Sequence, residues 1–164
     1  MLNRGERAVR LVENATALPN TRFHSRLLHD SAAARSEFFS ECLYECADSD
    51  LVFFDPDNGM EVRSVPYGRK RSSKYLYWRE LEETWRRGRS PLVYQHFGRQ
   101  KRDEFVADLA YQFTAHTGAE LVWSFRTSHV VFFLVPQKRH LDFFERGVTR
   151  VGDSWGGQID GQRH

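Results

Sequence analysis

Leu51-Val52-Phe53-Phe54-Asp55-Pro56-Asp57-Asn58-Gly59-Met60-Glu61 is the stretch that decides how this chain is read. Its first four residues are apolar without alternation, the pattern of a short strand buried on both faces inside a parallel sheet. The run stops at Asp55-Pro56. Proline removes a backbone donor and biases the residue before it toward an extended conformation, while Gly59 permits a sharp turn. An acidic, turn-forming loop therefore hangs from the C-terminal end of a buried strand.

Upstream, Ala8, Val9, Leu11, Val12 and Ala15 form a helical stripe over residues 7–17, which Pro19-Asn20 stops. Residues 21–28 read as a short strand, and Asp30 or Ser31 caps a helix running through Phe38, Phe39, Leu43 and Cys46. Downstream, a polar loop over 56–73 leads to a helix carrying Tyr77, Leu81, Thr84 and Trp85, with Gly88 as its C-cap. Leu92-Val93-Tyr94 is a second buried strand ending in Gln95-His96, and a long helix spans 99–116, closed by Gly118. Residues 120–126 and 129–135 form a hairpin about Thr127-Ser128, although that turn dipeptide is not a preferred one. A last helix over 139–148 leads into 151–164, read as a partly ordered tail with Trp155-Gly156-Gly157.

This alternation predicts a single α/β domain over 1–164. Its expected form is a Rossmann-like, mainly parallel sheet with right-handed crossovers, a C-terminal antiparallel hairpin and helices on both faces. Ligands of such sheets bind beyond the carboxyl ends of the strands, so Asp55 and His96 mark the expected functional edge. A length of 164 residues suits one domain with a real core, and no repeat or linker marks a second. No apolar run approaches the ~20 residues that span a bilayer, and the N-terminus lacks the apolar core of a signal peptide. The chain is therefore expected to be cytoplasmic, with no membrane contact. Cys42 and Cys46 share a helix face, but two thiols do not make a four-ligand zinc site, and reduced, partly buried thiols are the expectation.

The net charge of +2 hides an asymmetry. Residues 63–102 hold 12 Lys/Arg against three Glu, a local +9, and leave −7 on the remainder. A basic segment within an acidic domain points to an anionic partner, a nucleic acid or nucleotide. Lys74, Arg79, Arg86, Arg87 and Arg89 would carry such an affinity. A solvated Arg-rich helix explains the same composition without a ligand.

Asp55, Asp57 and Glu61 place three carboxylates within seven residues, beside the Asn58 amide. Oxygen-rich clusters of this kind suit Mg²⁺ or Mn²⁺. Alternatively, Asp55 orients a substrate amine by accepting its hydrogens. A plain turn accounts for Pro56, Asn58 and Gly59, but less well for an acid ending a buried strand. His96 is the candidate general base, since imidazole titrates near neutrality. Lys74, Tyr75, Gln95, Arg99, Arg126 and His129 are the candidate substrate or phosphate contacts. Tyr75 and Trp78 are the aromatic residues left free to stack a base, because Tyr77, Leu81 and Trp85 share core spacing. No P-loop, Gly-rich dinucleotide fingerprint, Gly-x-Ser-x-Gly elbow or zinc-protease helix motif is present.

The stretch from Asp50 to Glu61, with Ser72-Ser73-Lys74-Tyr75, Val93-Tyr94-Gln95-His96-Phe97 and Arg126-Thr127-Ser128-His129-Val130, resembles an uncharacterised bacterial family with a DPDNG motif. More remotely, the order of elements resembles the C-terminal part of class I S-adenosylmethionine-dependent methyltransferases. Those enzymes have a strand ending in an Asp-Pro-Pro-Tyr-type motif, a next strand, a helix and a terminal hairpin. Asp55-Pro56 matches the start of that motif, whereas Asp57 and Asn58 replace its second proline and its stacking aromatic. The βαβ unit that binds the cofactor there has no counterpart in this sequence.

The leading expectation is an enzyme of methyltransferase-like fold acting on a nucleic acid or nucleotide through the 55–61 loop; the resemblance gives Asp55 the part of holding a target amine, and the residues themselves add Asp57, Asn58 and His96 to the candidate catalytic set. The cofactor stays open between S-adenosylmethionine, which the resemblance implies, and Mg²⁺ or Mn²⁺. The residues themselves leave two further readings: a divalent-metal phosphodiesterase or nuclease built on Asp55, Asp57 and Glu61, and a non-catalytic nucleic-acid-binding module. A partner chain or a homodimer is a further expectation.

Overall fold

A computed structural model describes residues 18 and 20–164, so the helix expected over 7–17 lies outside the described residues. The elements run α1 (Ala32–Glu45), β1 (Leu51–Phe54), a 3-10 turn (Ser72–Lys74), α2 (Trp78–Arg86) and β2 (Ser90–His96). Then follow α3 (Arg102–Thr117), β3 (Trp123–Arg126), β4 (Val130–Leu134), a second 3-10 turn (Lys138–His140), α4 (Leu141–Trp155) and β5 (Asp160–Arg163).

Helix ends obey their local chemistry. The Ser31 hydroxyl caps α1 by accepting from Ala34 N at 3.3 Å. The Glu80 carboxylate reaches back to Tyr77 N at 3.0 Å at the start of α2. Gly88 and Gly118 close α2 and α3 at φ +78° and +71°, where a glycine carries no Cβ penalty. Residues 99–101 stay outside α3 and remain exposed, since none has an apolar side chain to bury.

Residues 21–28 form no ladder, contrary to the strand expected there. Polar side chains tie this extended segment along α1 instead. Arg22 donates to Glu45 O at 2.8 Å and pairs with Asp48, His24 meets Glu45 at 2.7 Å, and Arg26 pairs with Glu41.

Among the described residues the sheet has five strands in the order β1-β2-β4-β3-β5. Only β1 and β2 pair in parallel; the ladders β2–β4, β3–β4 and β3–β5 are antiparallel. The mainly parallel sheet is thus corrected to a mixed one. Strand–helix alternation set the directions correctly, since β1, β2 and β3 point the same way, but it does not say which strands become neighbours. The hairpin's return strand β4 takes the slot between β2 and β3, where fully buried Val131 and Phe133 complete the core beside Val93. Residues 151–164, expected as a partly ordered tail, instead finish α4 and return as β5 along β3, from Trp123↔Arg163 to Arg126↔Asp160.

Helices cover the two faces unequally. Phe39 of α1, Trp78 and Leu81 of α2, and Val106, Leu109 and Phe113 of α3 pack on Val93, Val131 and Phe133. On the other face, α4 sets Phe144, Leu141 and Val148 against Trp123, Leu134 and Leu92. The β1 side of that second face is left bare: Leu51 is 38% and Phe53 52% exposed. The continuous run 51–54 is therefore not buried on both sides, as its composition suggested; Val52 alone is fully inside.

Arg35 fixes the long loop after β1. Fully buried, it binds both Glu80 oxygens at 2.8 and 2.7 Å and donates to Ser72 O and Tyr75 O. Such a bidentate fork joins α1, the 3-10 turn and α2 in one geometry.

Candidate functional site

Asp55 follows Phe54, which lies opposite Val93 in the parallel ladder. The register therefore brings the loop after β1 beside Tyr94 and His96 at the end of β2. A cleft of about 430 Å³ opens there. Its floor is Phe53, Tyr94 and Phe132, on three adjacent strands, and its rim is Asp55, Asp57 and His96. The rings are contiguous but not coplanar: Phe53 and Phe132 lie 6.4 Å apart and tilted, while Tyr94 meets Phe132 at 5.4 Å and His96 at 5.0 Å, both edge to face. Asp57 pairs with Lys74 at 3.5 Å. No side-chain hydrogen bond occupies Asp55 or His96 among the described residues. This arrangement can stack a flat ring on the floor and accept hydrogen bonds from its edge at the rim.

Asp55, Asp57 and His96 thus come together as the sequence suggested, with Lys74 behind Asp57. The other proposed site residues have different work. Gln95 is buried: Oε1 accepts from Met60 N at 2.7 Å and Nε2 donates to His96 O at 2.8 Å. It braces the loop and has no free donor edge aimed at a phosphate. Gly59 makes room for it, since at φ +82° an added Cβ would lie 2.2 Å from Gln95 Oε1. Glu61 turns away from Asp55 to the start of α2, accepting from Trp78 N at 3.3 Å. Burial pushes its carboxyl up, while Trp78 N and the His116 imidazole pull the other way. Among the described residues no group of three or more His, Cys, Asp or Glu is placed to hold a metal, so the Asp55, Asp57 and Glu61 cage does not form.

Asn58 contributes its backbone N to Lys74 O at 2.9 Å, and its exposed side chain does not line the cleft. Tyr75 is half-buried, with its carbonyl held by Arg35. Arg99 is exposed beyond the end of β2, outside the lining. His129 sits exposed at the hairpin tip, next to Val130, which pairs with His96. Its backbone N donates to Thr127 Oγ1, as does Val130 N, which is how this hairpin turns without a favoured dipeptide. Arg126 is consumed by Asp103 and Asp160 beside a second concavity of about 660 Å³. That larger hollow offers fewer free groups, because its central cation is already neutralised twice.

Phe53, Tyr94 and Phe132 are the site residues that sequence reading missed. Their signal was alternation within strands, with Tyr94 and His96 two apart on one face. A constellation resembling a hydrolytic triad lies at the other end of the sheet: Ser90 Oγ meets His140 Nδ1 at 2.8 Å, and His140 Nε2 meets Asp50 at 3.0 Å. Ser90 is fully buried and its oxygen also accepts from Gln137 N at 2.9 Å, so no substrate can reach it. Cys42 and Cys46 are both free. Burial and the adjacent Cys46 push the Cys42 thiol up to about 12, which leaves it unreactive near neutrality.

No family model matches the chain, and no curated protein or solved structure matches it.

Proposed function

We propose that the cleft at the ends of β1 and β2 binds a nucleobase, presented by a nucleotide or nucleic acid. One observation carries this reading: three aromatic side chains on a bare sheet face meet two carboxylates and an imidazole in a single cleft. Every base has a π-face, so an aromatic floor binds by stacking, worth about 1–3 kcal/mol per base. Carboxylates accept from amino groups such as cytosine N4, so Asp55 supplies edge recognition. The volume lies at the small end of ligand clefts, about 300–1,000 Å³, and suits one ring system with its sugar.

The described residues do not fit the other groups considered. S-adenosylmethionine would need room beside the base, a partner for its carboxylate and a cradle for its ribose. The cleft at Asp55 has an acidic rim and an aromatic floor, which give that carboxylate no cationic partner but Lys74, already paired with Asp57. Mg²⁺ or Mn²⁺ would lose Glu61 to Trp78 N and share Asp57 with Lys74. Neither methyl transfer nor metal-assisted hydrolysis is therefore assigned.

The test is a calorimetric titration of the wild-type chain with the four nucleoside monophosphates. At least one should bind saturably. Phe53→Ala/Tyr94→Ala should weaken it about tenfold or more, the equivalent of about 1.4 kcal/mol of stacking. Asp55→Asn, which adds donors to the rim, should change the order of base preference. No saturable binding, or equal binding by the double variant, sinks the reading. Turnover of the bound nucleotide that disappears in Asp55→Ala and His96→Ala would extend it to catalysis, with His96 as the base.

A further inference from the structure

We infer that the natural ligand is a single strand of nucleic acid, whose sugar–phosphate chain leaves the cleft past Lys74 and follows the cationic loop 63–71. This rests on the base-binding reading and goes further, to the substrate class. The rim of the cleft is acidic, so a phosphate is repelled from the place where the base is welcomed. It must lie outside, and Lys74, paired with Asp57 on the rim, leads along the chain to the cationic loop 63–71.

The structure sorts the basic residues that composition lumped together. Arg86 and Arg87 pair with Glu83 on α2. Arg89 is buried and donates to Leu43 O and Cys46 O at the end of α1. Arg79 lies over Tyr67 at 4.4 Å, Arg102 over Phe97 at 4.8 Å, and Lys101 pairs with Glu104. Arg63, Arg69, Lys70 and Arg71 are different: all are exposed, and their side chains have no hydrogen bond, ion pair or ring partner among the described residues. Four of the described cations without a partner fall in this one loop; the others are scattered, with Arg99 after β2 and Arg146 and Arg150 on α4.

The loop is also held in shape and joined to the cleft. Its ends are pinned by Asn58 N to Lys74 O, Glu61 N to Leu76 O and Leu76 N to Gly59 O. Turns close at Val65 N to Val62 O, Arg69 N to Pro66 O and Ser72 N to Arg69 O. The Asp30 carboxylate takes both Arg71 N and Ser73 N at 2.8 Å, holding Arg71 at φ +72°, a conformation that a residue other than glycine rarely adopts. A cationic loop ordered before binding loses less entropy when it meets a phosphate chain. Lys74 Nζ, 3.5 Å from the Asp57 carboxylate on the rim, is the step between base site and loop. Bases reach the aromatic floor only when unstacked from a partner strand, so the chemistry selects single strands over duplex.

The experiment uses the full chain and 5′-fluorescein-labelled eight-nucleotide single strands, in DNA and RNA arms, with a labelled hairpin duplex as the control, read by fluorescence anisotropy between 50 and 200 mM salt. The comparison variant is Arg69→Ser/Lys70→Ser/Arg71→Asn, with asparagine chosen because it tolerates the left-handed conformation. Its thermal midpoint should match wild type, since it removes only exposed, unpartnered groups. The octamer should bind wild type at least tenfold more tightly than the best mononucleotide. Its log–log salt slope should fall by about 2 in the variant, at about 0.7 per lost phosphate contact. Mononucleotide binding should be the same in both proteins. Binding in either sugar arm supports the inference and names the sugar.

An octamer no tighter than a mononucleotide, an unchanged salt slope, or equal affinity for the duplex overturns the inference while base binding stands. Mononucleotides that fail on wild type, with octamers failing too, overturn both.

Discussion

Gly59 and Gln95 determine each other. Gly59 sits at φ +82°, and a methyl group there would lie 2.2 Å from Gln95 Oε1 and 2.4 Å from Nε2. Alanine in this backbone conformation costs about 1–2 kcal/mol. Displacing the amide would also strand the buried Met60 N, at about 1–3 kcal/mol. Gly59→Ala is expected to lose roughly 2–5 kcal/mol and, at about 2–4 °C per kcal/mol for a chain of this size, to lower Tm by roughly 4–20 °C. Thermal unfolding followed by circular dichroism checks this; a midpoint within a degree of wild type would mean that Gln95 is not a strut. At this scale the sequence was half legible. Gly59 announced a turn, and Asp55 with His96 announced a strand-end site. Gln95 reads equally well as a ligand contact or a brace, because its partner lies 35 residues away in the chain. Glu61 misled for the same reason: its acceptor role at Trp78 N depends on where α2 begins.

Among the elements, β2 carries a hydrogen-bonded cluster at its start, at the opposite end from the cleft. Ser90 Oγ joins the first residue of β2 to Gln137 N and His140 Nδ1 before α4, with Ser90 and His140 buried and Gln137 half-buried. Ser90→Ala leaves the half-buried Gln137 amide and a buried imidazole nitrogen without that oxygen. The expected loss is about 1–3 kcal/mol in urea unfolding, with nucleotide affinity unchanged because the cleft is at the strand's far end. A stability equal to wild type would remove the bracing role, and labelling of Ser90 by a serine-directed phosphonate would show an accessible nucleophile instead. Helices were legible because their signals are local, as Ser31, Gly88 and Gly118 show. Strand partners were not. Nothing within residues 130–134 says that β4 enters between β2 and β3, and the bare half of the second sheet face follows from where α4 lies, not from the composition of 51–54.

Charge organises the molecule as a whole. Segregation of the basic segment was visible in the sequence, but its division into paired and free cations needed the fold, because Glu83, Tyr67 and the end of α1 claim residues that composition counted alike. The same fold gives two carboxyls opposite responses to pH. Backbone hydrogen bonds from Ser73 and Arg71 hold the Asp30 carboxyl below its ordinary value. Its ionised form is favoured on folding, so its contribution is present above the unfolded value of about 3.9 and is lost as pH falls through the lower folded one. Burial pushes Glu61 the other way. Its contribution is present below the unfolded value of about 4.3 and is lost as pH rises through the higher folded one. Urea unfolding from about pH 2.5 to pH 7 should therefore show the deficit of Asp30→Asn largest at neutral pH and shrinking toward the acid end. Glu61→Gln should be most favourable relative to wild type at neutral pH and lose that advantage in acid, where the native carboxyl is also neutral. Two difference curves of the same sign and slope would contradict the assignment of Asp30 as the anchor of the cationic loop and Glu61 as a half-buried helix-start acceptor. Curves that move in opposite directions would tie the loop's order to one ionised carboxylate, and oligonucleotide affinity should then fall with Asp30 protonation before the fold itself is lost.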